Sequence, residues 1–93
     1  MIRVVIGPRV GKSLARLGKE VTAETEKQIT LVAAQFGNPH QHTGLGLRKL
    51  GKRSYEIRCW RQWRVVFIHS GDTLFAYDVM SHDEVELWLR GQR

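Results

Sequence analysis

The chain has 93 residues, 42% of them hydrophobic, which suits one core, is too short for two, and argues against wholesale disorder. Its single cysteine, Cys59, excludes an internal disulfide and a Cys-based zinc site and suits a reducing cytosol. The formal net charge is +6, from 15 Lys and Arg against 9 Asp and Glu, so acidic partners or polyanions are expected before neutral ones. No run of about eighteen apolar residues is present to span a membrane, and the opening MIRVVIGPRVGKS is not a secretory signal. A cytoplasmic location, without a membrane span, is the expectation.

Met1 to Ile6 is rich in Ile and Val and reads as a strand ended by Gly7-Pro8. Pro8 suits the first turn of a helix, in which Val10, Leu14 and Leu17 recur at helical spacing as far as a capping Gly18. A second helix is predicted over Val21 to Phe36, with Glu20, Glu24 and Glu26 early and an apolar stripe of Ile29, Val32, Ala33 and Phe36. Gly37-Asn38-Pro39 stops it, and residues 38–46, NPHQHTGLG, read as a loop. Leu47 to Lys52 is a short basic segment compatible with a strand. Tyr55 to Trp60, Trp63 to His69 and Thr73 to Val79 are β-rich runs separated by short turns. Ser81 to Glu84 has the spacing of a capping box, opening a last helix with Val85, Leu87, Trp88 and Leu89 on its apolar side. The order β-α-α-β-β-β-α implies one α+β domain over residues 1–93, an antiparallel sheet with a helical hairpin on one face.

The net charge is localised. Residues 48–64 hold Arg48, Lys49, Lys52, Arg53, Arg58, Arg61 and Arg64 against Glu56 alone, which accounts for the whole excess and leaves the rest of the chain neutral. Such a focus attracts and steers a polyanion. Strand register decides where these cations point, because a slip of one residue moves every side chain to the other face. A loop of Arg61-Gln62-Trp63, pairing Trp60 with Arg64, puts Tyr55, Ile57, Cys59, Val65 and Phe67 on one apolar face. Glu56, Arg58, Trp60, Arg64, Val66 and Ile68 then share the other. A two-residue loop, pairing Trp60 with Trp63, would instead put Arg58 beside Val65 in the core, at the cost of burying an unpaired guanidinium, so the three-residue loop is expected. By the same argument a loop of Ser70-Gly71-Asp72 pairs Val65 with Tyr77 and sets Asp78 opposite Arg64. With the helices on the apolar face, Arg58 and Arg64 project together from an uncovered face. Guanidinium groups bind phosphates there, and Trp60 or Trp63 stacks on an unpaired base. An ordinary Arg64–Asp78 ion pair with core tryptophans is the competing reading.

The stretch LRKLGKRSYEIRCWRQWRVVFIHSGDTLFAYDVMSHDEVELWL resembles the C-terminal half of a RelE/ParE-superfamily toxin, and the N-terminal strand, the helix pair and Asn38-Pro39 suit the same pattern. The resemblance implies the RelE-like fold and the toxin of a type II toxin–antitoxin pair. In its RelE branch such toxins cut mRNA in the ribosomal A site without a metal or other cofactor. In its ParE branch they inhibit gyrase, and a non-catalytic RNA-binding member of the same fold is a further alternative. By position, Arg58 and Arg64 match the strand arginines at the scissile phosphate. Lys49, Lys52 and Arg53 match the RNA-gripping basic segment, Arg48 and Arg61 are further RNA-binding candidates, and His82 falls at the His-Arg element. The implied partners are a cognate antitoxin, forming a hetero-oligomer with the toxin, and the ribosome with its mRNA. Two residues depart from the pattern: Asp83 stands where the arginine is expected, and Leu87 and Trp88 occupy the region of a C-terminal tyrosine.

Metal-independent RNA cleavage needs a base for the 2′-OH, an acid for the leaving 5′-oxygen, and cations for the phosphorane. Arg58 and Arg64 supply the cations. Among the side chains nearby, the imidazole of His82 suits proton transfer near neutral pH. Glu56, between arginines, reads as a local charge partner and only secondarily as a base. His40 and His42, with no carboxylate or cysteine near them in sequence, make a poor metal site. Gly44-Leu45-Gly46 and Gly11-Lys12-Ser13 lack the context of a phosphate loop. Cys59 falls on the apolar face and reads as a small core residue.

Overall fold

The computed structural model describes residues 2–92, with residues 39–41 described by their backbone alone. Met1 of the expected first strand therefore lies outside it. Strand β1 (Arg3–Ile6) leads into helices α1 (Pro8–Leu17), α2 (Lys19–Gln35) and α3 (Pro39–Leu45). Strands β2 (Arg48–Lys49), β3 (Ser54–Trp60), β4 (Trp63–Ser70) and β5 (Thr73–Ser81) follow, and α4 (His82–Gly91) closes the chain. The class is α+β, as the element pattern implies.

Pro8 opens α1, and Gly18, at φ +104°, ends it with its N–H donating to the Leu14 carbonyl while α2 begins at once. A left-handed φ of this kind suits glycine, and it folds the two helices into a hairpin at a single residue. Gly7 is required for another reason: a Cβ there would lie 2.6 Å from the Phe75 ring and 2.8 Å from the Ala76 carbonyl.

The sheet order is β1-β5-β4-β3-β2. Its four later strands are antiparallel neighbours, but β1 runs parallel to β5, so the sheet is mixed instead of antiparallel throughout. Strand direction is legible where a short turn joins neighbours; β1 and β5 are joined by all the intervening elements, and no local signal reports their relation.

Helix α3 replaces the expected loop. Its residues are poor helix formers, and neighbours hold it: the His42 ring stacks on Phe36 at 5.2 Å, and the Gly37 N–H donates to His42 Nε2 at 3.1 Å. The Leu47 N–H returns to the His42 carbonyl, past Gly46 at φ +84°.

Both hairpin turns are shorter than expected. Trp60 pairs with Trp63 across Arg61-Gln62, and Ser70 pairs with Thr73 across Gly71-Asp72. Each ladder then shifts by one residue, between Arg58 and Trp60 on β3 and opposite Val66 and Phe67 on β5. These bulges absorb the parity change that a two-residue turn imposes. Ile57 faces Val65, Arg58 faces Arg64, and the guanidinium of Arg58 stays out of the core after all. The expected Trp60–Arg64 pairing is thus wrong in register, while the division of Tyr55, Ile57, Cys59, Val65 and Phe67 from Glu56, Arg58, Arg64, Val66 and Ile68 holds.

The α1–α2 hairpin covers the first of these faces. Val10, Val21 and Val32 pack with Ile57, Cys59, Val65, Phe67, Leu74, Ala76 and Val79 in one buried cluster. The second face is not left open: α4 lies on it, and Val85 buries against Val66 and Met80 with Tyr77, Trp88, Leu89 and Leu50 around them. Leu87, expected on the apolar side of α4, is 64% exposed. The molecule is therefore a sheet between two helical layers. No helix among the described residues is long and apolar enough to cross a membrane.

Candidate nucleic-acid interface

The face that carries α4 also carries the strand arginines. Alternation along β3 and β4 sends Glu56, Arg58 and Arg64 to this side, and β2 adds Arg48 opposite Glu56. Arg58 and Arg64 sit directly across from each other, a like-charge pairing that is unfavourable unless a counter-charge or ligand offsets it. Glu56 offsets part of it. Its carboxylate is buried, with one oxygen 3.4 Å from a terminal nitrogen of Arg64 and 3.2 Å from Nε of Arg48. The Arg64 side chain is only 17% exposed, so this pair is the more strongly held of the two; Arg48 is open to solvent and contributes little. The other Glu56 oxygen, Oε1, and the Nε of Arg64 are buried with no hydrogen-bond partner.

Arg58 is exposed, and no described acidic side chain pairs with it. Chemically, Arg64 is an anchored cation already half-engaged by Glu56, and Arg58 is the cation free to meet a ligand. The expected Arg64–Asp78 pairing does not occur: Arg64 lies opposite Met80. The bulge turns Asp78 toward α1, where it accepts a hydrogen bond from Ser13 Oγ at 2.6 Å and one from the Val79 N–H at 2.7 Å.

His82 is the first residue of α4 and is exposed. Ser81 faces Trp63 across the sheet, so the start of α4 and the β3–β4 turn share one end of the sheet, and Met80 opposite Arg64 lies two residues before His82. The capping box is formed: Ser81 Oγ accepts from the Glu84 N–H, and Glu84 Oε1 accepts from the Ser81 N–H. Asp83 and Glu84 stand in the first turn beside His82, which makes its immediate surroundings acidic.

The remaining basic and aromatic candidates are dispersed. The ammonium of Lys49 lies 6.0 Å from the Tyr55 ring, on the face covered by the helical hairpin. Lys52 and Arg53 occupy the β2–β3 turn, at the opposite end of β3 from Arg61. Trp60 and Trp63 pack against the helix-side core, so Trp60 does not share the arginine face; the bulge beside it reverses its side. Arg61 lies over the Trp60 ring at 5.4 Å and has a left-handed φ of +51°.

Cys59 is buried, donates to the Trp63 carbonyl at 3.5 Å, and burial pushes its thiol up from the ordinary range, which makes it a poor nucleophile. His42 is engaged with Phe36 and Gly37, and the side chain of His40 lies outside the described ones. Among the described residues no group of three or more His, Cys, Asp or Glu is placed to hold a metal ion.

Sequence reasoning missed the layer that α4 adds. Trp88 is on the apolar side of α4 that the sequence predicts, but Tyr77, expected opposite Val65, lies on this side because Val65 faces Val79, and it reaches Trp88 at a ring separation of 5.5 Å. Compared with known proteins, the chain matches no family model, no curated protein and no solved structure.

Proposed function

We propose that the protein is a ribosome-dependent mRNA endonuclease of the RelE type, the toxin of a type II toxin–antitoxin pair, working in the cytoplasm and held inactive by a cognate antitoxin. The observation that carries this reading is the row Arg58–Arg64–Met80 across β3, β4 and β5, which sets two opposed arginines on one face near the strand end that leads into His82. Arg58 meets the phosphate of a single-stranded RNA, and its charge offsets the oxyanions that develop when the 2′-OH attacks. Arg64, fixed by Glu56, adds a second cation without having to be ordered during the reaction. His82 exchanges the proton with the attacking or leaving oxygen. Arg48 and Arg61 extend the phosphate track, and Lys52 and Arg53 contact RNA farther from the cut, while Lys49, on the hairpin-covered face, lies outside the track.

Asp83 favours a second reading. A carboxylate beside His82 repels a phosphate, which suits a member that acts by binding a protein such as gyrase, or one that holds RNA without cutting it. Expression in a bacterial host separates the three. Cleavage of translated mRNA with growth arrest, relieved by Arg58→Ala, supports the nuclease. Arrest with intact mRNA and a DNA-damage response supports the gyrase inhibitor, and salt-sensitive RNA binding without arrest supports the binding module. Arg58 is the better residue to test than Arg64, because removing Arg64 strands a buried carboxylate and mixes folding with function.

A further inference from the structure

Between the last turns of α4 and the β2–β3 turn lies a cleft of about 520 Å³, within the roughly 300–1,000 Å³ common for small-ligand sites. Its apolar walls are Leu50, Ile68, Trp88 and Leu89, all only half-buried, and its polar lining includes Lys52 and Arg53. Both cations are exposed, and no described carboxylate pairs with either. Trp88 packs beside Tyr77, whose ring is tilted by 31° at 5.5 Å. This site is separate from His82, which lies at the other end of α4.

We infer that this cleft binds one nucleotide, its base against Trp88 and its phosphate at Lys52 and Arg53. A cleft walled by apolar side chains and an indole, with unpaired cations at its edge, calls for a planar, anionic ligand. Uncharged aliphatic ligands would leave the cations unpaired, an aliphatic anion would not use the planar indole of Trp88, and inorganic phosphate would leave Leu50, Ile68 and Leu89 in water. An acidic peptide satisfies the charge but needs a longer groove than a cavity of this size. That the nucleotide belongs to an RNA strand running on toward Arg58 rests on the function proposed above; binding of a mononucleotide does not.

The test uses the full chain labelled with nitrogen-15 and titrated with AMP, read at the indole N–H signals of the three tryptophans. Trp88→Phe assigns its signal. The expected result is a saturable shift of the Trp88 signal, while those of Trp60 and Trp63 stay in place. Adenosine should bind about tenfold more weakly than AMP once the phosphate contacts are lost, as should AMP to the Lys52→Ala/Arg53→Ala double variant. Both substitutions are at exposed positions, so the fold is kept even if Trp88→Phe destabilises the chain. Lys27→Ala on α2 leaves the affinity unchanged. The inference is overturned if AMP moves no indole signal, if inorganic phosphate alone produces the same shift, or if only a Glu-rich peptide does. A Trp88 shift without cleavage of translated mRNA on expression would retain the cleft and remove the nuclease reading; mRNA cleavage without a shift would do the reverse.

Discussion

On the α1–α2 side of the sheet, Ile57, Val65, Phe67 and Leu74 are closed off by Val10, Val21 and Val32, and every one of them is at most 4% exposed. On the α4 side, burial of Val66, Met80 and Val85 is accompanied by burial of Glu56 and by an Arg64 that is only partly solvated. The first face is built for cohesion, since apolar burial gains free energy without needing partners. The second gives up part of that gain to hold charges in place, an arrangement that a hydrophobic replacement of similar volume would match or exceed in stability. Retaining it makes sense where a fixed guanidinium is needed at the surface.

The contrast predicts unequal losses. Phe67→Ala should cost about 3–5 kcal/mol, a large share of the roughly 5–15 kcal/mol typical of a domain, and leave much of the chain unfolded. Met80→Ala on the other face, in the smaller cluster with Val66 and Val85, should cost about 2 kcal/mol. Urea unfolding followed by circular dichroism measures both. Equal losses would mean that α4 is as tightly packed as the helical hairpin and that the two faces are energetically alike.

A second comparison isolates the charges. Glu56→Gln removes the negative charge from beside Arg64 and should destabilise by about 2 kcal/mol, below the 3–5 kcal/mol of a fully buried pair because Arg64 retains some solvent. In an Arg64→Met background the same substitution should cost much less, and the difference in a double-mutant cycle gives the coupling. An Arg48→Ala background should leave the cost of Glu56→Gln nearly unchanged, since that side chain is 64% exposed. If the Arg48 cycle shows the larger coupling, the carboxylate serves the edge strand and not the central arginine.

The same division between cohesion and charge explains what could be read in advance. The apolar face was legible because Tyr55, Ile57, Cys59, Val65 and Phe67 alternate, and a wrong turn length did not disturb the assignment: two bulges restored the parity. Those bulges leave no mark in composition, so Trp60 was placed on the wrong side and Asp78 opposite the wrong residue. Helix α3 was missed because His42 is held by Phe36 and Gly37, contacts between residues whose local propensities favour a loop. The covering of the arginine face by α4 was not legible either. The capping box shows where that helix begins, but nothing in Val85, Trp88 and Leu89 says which face of the sheet they bury against.

Cys59 tests the dryness of the hairpin-covered face. Burial raises its thiol above the value of the unfolded chain, so its contribution to stability is complete below the unfolded value and is lost as pH rises through the folded one. The urea midpoint should therefore fall on the alkaline side, and the fall should be shallower in Cys59→Ala. Iodoacetamide at pH 8 should modify the native protein far more slowly than the urea-unfolded chain. Comparable rates would place Cys59 in contact with solvent and weaken the contrast between the faces.

The smallest effect is expected at Arg61, in the turn where the two faces meet. A left-handed φ costs an L-residue roughly 1–2 kcal/mol, and glycine escapes that penalty while giving up roughly 0.5–1 kcal/mol in chain entropy. Either substitution also removes the guanidinium over Trp60, worth about 0.5 kcal/mol at an exposed site. These terms nearly cancel for Arg61→Gly, whereas Arg61→Ala loses the contact and keeps the strained φ. Glycine should thus be the more stable replacement by about 0.5 kcal/mol, the reverse of the usual order at strands and helices. Thermal unfolding of the two variants decides the sign. If alanine is the more stable, the turn is not strained and Arg61 is an ordinary surface residue. If glycine is, the chain accepts strain at this turn while keeping an arginine there, and under the proposed function RNA binding by the Gly variant, measured over a range of salt, should show one phosphate contact fewer.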